Sequence, residues 1–386
     1  MTTVTIRDWF THTASVSAEA RGRVNQQLDV YSGTVQRCAA RHLGEDVTVC
    51  ISGSLARGEP AVRGAHNDFR LASDVDLVAI IDAADSTTRV ENFRTSMLRH
   101  HPEIETTVFT TGRRELARVA GRFGADLHSA AARPLAGSAP DLAAMPRLGK
   151  REGLEGITHQ LATRFGPDNS AQAAPWRAKT ALDALRAVAN YGAGPQRFSY
   201  LPSDPTVTEV LRPTIVAQLV RARENSEALP ITAGETYRCV MAAACKLFGV
   251  PASHRDLVAA LHMIRPGTHI LDGFQAAALA ASIVLYGPIT FRRSAASALH
   301  IIATAIDPST IITARDSLQA LTAISPIDIC RGLEHPNRVL RRHMQSLRRD
   351  YYAWLGPHNF GIRPVAQYRG PASVDHCSPT RSVDHG

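Results

Sequence analysis

The chain has 386 residues, 44% hydrophobic and 20% charged, enough for two or three soluble domains with substantial cores. The longest apolar stretch, 276–289, is too short to span a bilayer and is interrupted by Ser282, Gly287 and Pro288. Arg7, Asp8 and His12 break up any secretory leader, so a cytoplasmic protein is expected. The net charge of +8 suits a nucleic acid, a nucleotide or an acidic partner. It comes almost wholly from arginine, with lysine only at Lys150, Lys179 and Lys246, a bias that a GC-rich genome also produces. None of the six cysteines forms a C-x-x-C pair, which predicts buried thiols, and the sixteen histidines form no H-x-H or H-E-x-x-H, so no zinc site is expected.

In chain order, 14–42 reads as a helix: Val24, Leu28, Tyr31, Val35 and Cys38 recur at steps of three or four, Ser15 or Ser17 is placed to cap it, and Gly44 ends it. Asp46 to Ile51 reads as a strand, and Asp74 to Ile81 as a second. A helix over 87–101, stopped by Pro102, leads to a third strand from Glu103 to Thr110, rich in Thr, Val and Phe. A further helix over 113–133, broken near Gly124, completes a small α/β unit. Beyond it the pattern is mostly helical, with candidates at 173–191, 213–227, 233–248, 254–263, 274–286, 293–305, 314–323 and 335–354, and a Pro- and Ser-rich break between Gly192 and Pro213. The predicted organisation is an N-terminal helical segment (1–45), an α/β domain with a small mixed sheet (46–145), a helical domain (146–356) and a polar, largely disordered tail (357–386).

The chemistry concentrates in two stretches. In the second strand, Asp74 and Asp76 lie two residues apart and share a face, while Val75, Leu77 and Val78 can enter the core. Two neighbouring carboxylates repel unless a cation lies between them, and hard oxygens on a rigid strand suit Mg²⁺ with substrate phosphates. The first strand runs into Gly53 and Ser54. Glycine permits a tight turn and close backbone approach, the serine offers a hydroxyl and an N–H to phosphate, and Arg57 can add charge. A phosphate cradle beside paired carboxylates describes a two-metal phosphoryl or nucleotidyl transfer site. Such a site calls for a third carboxylate; Glu103 and Glu105 share a face of the third strand, and Glu105, inside it, is favoured over Glu103 at its edge.

Gly53-Ser54, Arg57-Gly58-Glu59 and Ser73-Asp74-Val75-Asp76-Leu77 together resemble the G-S-x-x-R-G-E … S-D-[IV]-D-L signature of the DNA polymerase β superfamily of nucleotidyltransferases. Arg133-Pro134-Leu135-Ala136-Gly137 resembles the R-P-L-x-G that closes this domain in aminoglycoside adenylyltransferase-like members, where the third-strand carboxylate also sits in a Glu-x-Thr-Val setting, as Glu105 does. The resemblance covers about 40–145. It implies transfer of a nucleoside monophosphate, AMP from ATP by preference, to a hydroxyl with release of pyrophosphate. By the same resemblance Asp74, Asp76 and Glu105 hold two Mg²⁺ ions, and Gly53, Ser54, Arg57 and Lys179 bind the nucleotide. The sequence departs from the compact members in the nineteen residues between Ser54 and Asp74, where the extra 60–71 segment is either a loop touching substrate or a tolerated surface insertion.

Two further features remain open at this stage. Lys179 either reaches the triphosphate from the helical domain or forms an i,i+4 pair with Asp183. Helix 335–354, with Arg338, Arg341, Arg342, Arg348 and Arg349 ahead of Tyr351, Tyr352 and Trp354, either grips nucleic acid or is a solvated face. A small-molecule acceptor is the leading expectation; tRNA or a protein hydroxyl, or a catalytically silent nucleotide-binding protein, are the alternatives.

Overall fold

The computed structural model describes residues 8–65, 68–82, 86–118, 121–131, 134–142, 149–163, 174–189, 197–227, 231–264, 270–306, 339, 340, 342, 346, 363 and 364. The chain is α/β, with a small mixed sheet and a mostly helical remainder. Helix α1 (Ala18–His42) starts where the Ser17 hydroxyl accepts from the Ala20 amide. Strand β1 (Thr48–Ser52) follows, then a single helical turn, α2 (Gly53–Ala56), and a short hairpin of β2 (Val62–Arg63) and β3 (Arg70–Leu71). Next come β4 (Val75–Ile80), α3 (Ser86–His100) and β5 (Thr106–Thr111). Strand β4 is central, antiparallel to β1 and parallel to β5, with α3 as the crossover. After a 3₁₀ turn at Arg113–Arg118, α4 (Gly121–Ala131) packs against the sheet.

Alternation along the strands separates two layers. Val49, Ile51, Val75, Leu77, Ala79 and Val108 join Leu28, Tyr31 and Val35 of α1 and Phe93 and Met97 of α3 in one core. Cys50, Val78 and Ile80 face Leu116 and Leu127 on the other side. Helix α1, expected as a separate segment, is therefore one wall of the α/β unit. Both outer strands are covered. Val49 of β1 exchanges backbone bonds with Leu135 and Ala136, and Arg363–Pro364, a two-residue strand β6, pairs with Phe109 and Thr110 of β5. Strand β6 falls inside the stretch expected to be disordered tail.

The helical part comprises α5 (Lys150–Thr163), α6 (Ala174–Val188), the short α7 (Pro205–Thr208), α8 (Pro213–Glu224), α9 (Ala233–Phe248), α10 (His254–His262), α11 (Ile270–Tyr286) and α12 (Ile289–Ala305). These helices enclose a second core, centred on Leu182, Leu185, Leu219, Val240, Leu279 and Leu299. Helix α9 carries the clearest local code: a capping box between Thr232 and Glu235 opens it and Gly249, at φ +68°, closes it. The predicted helix 314–323 lies outside the described residues, as does 335–354 apart from 339, 340, 342 and 346. Cys38, Cys50, Cys239 and Cys245 are buried thiols. Among the described residues no helix is long and apolar enough to cross a membrane.

Candidate active site

The turn between β1 and α2 is built around one close approach. Gly53 has φ +66°, a conformation that L side chains rarely adopt, and a Cβ placed on it would come within 2.5 Å of the Asp76 Oδ2. The absence of a side chain at 53 thus brings the turn directly onto the Asp76 carboxylate. Asp76 is the second residue of β4 and stands opposite Ser52 on β1 and level with Thr107 on β5. Asp74 lies just before the strand, two residues back and so on the same face.

The electrostatics of the pair are unbalanced. Burial, reinforced by the Asp74 carboxylate, pushes Asp76 up to about 7, against the pull of Lys179. The Lys179 ammonium extends from α6 in the helical region to 3.9 Å from the Asp74 Oδ1. On the same helix, Asp183 accepts from Gln160 Nε2 and from the Arg186 guanidinium. The site is thus assembled from both halves of the chain.

Two hydroxyls beside the pair are left without hydrogen bonds. The Oγ atoms of Ser52 and Ser54 are both buried and have no partner. A buried hydroxyl without a partner costs about 1–3 kcal/mol, so the fold carries this polar capacity at a cost. The arrangement has the chemistry of a cation and phosphate site: two neighbouring hard carboxylates, a glycine turn pressed on one of them, unused hydroxyls and a nearby ammonium.

The remaining expected residues are placed differently. Glu105 comes one residue before β5, level with Asp74, and its backbone carbonyl accepts from the Val75 amide. Its side chain is exposed, and among the described residues no cluster of three or more His, Cys, Asp or Glu is arranged to hold a metal. Asp74 and Asp76 are therefore brought together, while Glu105 stands at the margin. Glu103 lies in the turn before the strand, 3.3 Å from His101 Nδ1. Proline at 102 delays the strand start to Thr106, so the two glutamates do not share a strand.

Arg57, expected at the phosphates, is buried and committed elsewhere. Its guanidinium pairs with Asp126 of α4 and with Glu59 at 3.4 Å, and lies 5.7 Å from the centre of the Phe198 ring. Burial opposes its charge, yet Asp126, Glu59 and Asp183 together raise its pKa above the ordinary value. Arg186 and Arg223 lie over the same ring at 4.6 and 5.1 Å. Glu59 also accepts from the Ser199 amide at 2.9 Å, and Arg223 donates to the Glu59 carbonyl. The Arg-Gly-Glu of the motif thus forms a seam between the α/β unit and the helices. The sequence reading missed Asp126, Ser52 and this seam. Asp126 falls in a helix with no motif around it, and the contacts of Glu59 span well over a hundred residues.

The 60–71 insertion is structured where described. Val62 and Leu71 are buried against α1, the Leu71 amide donates to Gln27 Oε1, and Arg63 and Arg70 remain exposed on the hairpin. Gly137, the end of the R-P-L-x-G resemblance, passes so close to β1 that a Cβ on it would lie 2.3 Å from the Val47 carbonyl oxygen.

Compared with protein-family models, curated proteins and solved structures, the chain matches none.

Proposed function

We propose that the protein is a magnesium-dependent nucleotidyltransferase, with a nucleotidyltransferase domain followed by a helical domain, that moves a nucleoside monophosphate from a nucleoside triphosphate to a hydroxyl. AMP from ATP and a small-molecule acceptor are the leading assignments. The observation that carries the reading is the contact of the Gly53–Ser54 turn with Asp76, beside Asp74 and within reach of Lys179.

Asp74 and Asp76 would hold the metal. They lie side by side, their oxygens are hard, and Mg²⁺ needs only one or two carboxylates when phosphates complete its shell. When bound, the metal supplies charge neutralisation on the phosphates. The residues of the chain do the rest. The Ser54 hydroxyl and the Gly53 backbone hold the outer phosphates. Lys179 moves the short distance from Asp74 to the same oxygens as nucleotide arrives. Glu105, exposed just before β5 and level with Asp74, takes the proton of the attacking hydroxyl. The acceptor oxygen bonds to the α-phosphorus as the bond to pyrophosphate breaks. Arg57 is assigned here to the seam rather than to the nucleotide.

The test is pyrophosphate release from each of the four nucleoside triphosphates with Mg²⁺, offered aminoglycosides, tRNA or lysate proteins, with Asp74→Ala/Asp76→Ala as the blank. Release that needs the aspartates and one acceptor class supports the reading and names the acceptor. Nucleotide binding without release from any pool supports a silent nucleotide-binding protein instead.

A further inference from the structure

Ser52 is a residue that neither the motif nor the reaction accounts for. It ends β1, is only 1% exposed, and its hydroxyl is buried with no hydrogen-bond partner. Its backbone conformation, φ −131° and ψ −170°, is that of a residue preceding a helix, where a serine ordinarily accepts from an amide of the first turn. Here the side chain makes no such bond. The ladder shows what it faces. Ser52 is directly opposite Asp76 in the antiparallel pair, as Cys50 is opposite Val78, and the latter pair shares the core beneath α4. Directly opposed side chains on one face have Cβ atoms roughly 4.5–5.5 Å apart. A rotation about the single χ1 bond of Ser52 thus sweeps its hydroxyl past the Asp76 carboxylate. Gly53, pressed on the Oδ2 atom from the next position, limits where that carboxylate can turn.

We propose that Ser52 is the positioning residue for Asp76: its hydroxyl donates to one carboxylate oxygen when a divalent cation engages the other. This rests on the nucleotidyltransferase reading of the site. It explains why a strand end carries a buried hydroxyl with no hydrogen bond of its own, at a position where alanine would pack without that cost. Residues that orient a metal-binding side chain in this way typically change metal affinity by about 10–100-fold when removed. The group acts through Asp76, so its loss should weaken the cation site rather than the fold.

The experiment measures Mn²⁺ affinity, from the free Mn²⁺ signal in the presence of a non-hydrolysable ATP analogue, together with the thermal midpoint of the metal-free protein. The comparison uses wild type, Asp76→Asn, Ser52→Ala and Ser52→Thr. The expected result is Mn²⁺ affinity about tenfold weaker in Ser52→Ala, a midpoint unchanged or raised, and recovery of affinity in Ser52→Thr, which keeps the hydroxyl. Affinity within twofold of wild type in Ser52→Ala, while Asp76→Asn loses binding, overturns the role of Ser52 and leaves the nucleotidyltransferase reading standing. A midpoint that falls along with affinity, or equal loss in the alanine and threonine variants, makes Ser52 a packing residue and also overturns the proposal. Absence of Mn²⁺ binding in wild type overturns both readings.

Discussion

Arg57 and Asp76 are both ionisable groups pressed into the interior beside α2, and their surroundings differ in one respect. Arg57 has a carboxylate on either side, Asp126 and Glu59, and an aromatic ring beneath it. The seam around Phe198 sets the guanidinium groups of Arg57, Arg186 and Arg223 among the carboxylates of Glu59, Asp126 and Asp183, so its charges are matched within the protein. Asp76 has another carboxylate beside it and two hydroxyls without partners nearby, and burial with the Asp74 carboxylate outweighs the pull of Lys179 and Arg57. Buried polar groups that satisfy one another rigidify a structure, whereas an unsatisfied set has capacity for something brought from outside. By that criterion the seam aligns the two halves of the chain, and the aspartate turn is the place where a ligand adds charge.

The most severe break in the comparison is Asp76→Asn. Pyrophosphate release should fall by about a thousandfold or more, the scale lost when a site's principal electrostatic group is removed. The metal-free protein should be no less stable than wild type. The pH dependence sharpens this point. The folded-state pKa of Asp76, about 7, lies above its ordinary 3.8, so the folded chain retains a proton that the unfolded chain has lost. Stability of the metal-free protein should therefore decline as pH rises from about 4 to about 7, and that part of the decline should be missing from Asp76→Asn in thermal melts across the range. Arg57→Met tests the other side. It leaves Asp126 and Glu59 buried without their partner and should cost about 3–5 kcal/mol in urea unfolding. Gly53→Ala places a methyl against Asp76 in a backbone conformation that alanine resists, and turnover should drop about a hundredfold. Lys179→Met should lower kcat/KM about tenfold, while the loss of its partly exposed pair with Asp74 changes stability by less than about 1 kcal/mol. Arg70→Ala removes an exposed pair with Asp68 on the hairpin and should alter stability by no more than about 0.5 kcal/mol, with turnover unchanged.

What the sequence made legible follows from how local each signal is. Helix α9 was read at its observed limits, 233–248, because a capping box and a terminal glycine mark both ends. Strand β4 was read to within a residue at each end from its Val-Asp-Leu-Val-Ala-Ile run. The third strand was begun too early, since Pro102 and Glu103 belong to a turn that the alternation of residue types does not reveal. A helix over 113–133 broken near Gly124 matches a 3₁₀ turn at Arg113–Arg118 followed by α4 from Gly121, with Gly124 itself inside α4. Helix α5 was missed altogether, because Gly149, Gly153 and Gly156 obscure its apolar spacing of Leu154, Ile157 and Leu161. At the site, Gly53, Asp74 and Asp76 were legible because the contacts that relate them are short in sequence or run across one strand pair. The assignment of Arg57 to phosphate followed its place in the motif, and only the three-dimensional arrangement shows Asp126 and Phe198 around it. Whether Lys179 reaches the aspartates likewise depends on where α6 lies relative to β4, which no local pattern encodes.

The covering of β1 by Leu135 and Ala136, and of β5 by Arg363–Pro364, bears on how copies of this protein meet. An open outer strand offers a row of unused amides and carbonyls on which another chain can extend the sheet. Here each outer strand already has part of that row taken up by its own chain, and the close passage of Gly137 over Val47 allows no larger residue at that point. An assembly that continued the sheet at Val49 or at Phe109–Thr110 would have to displace these segments there. Association through helix faces carries no such requirement.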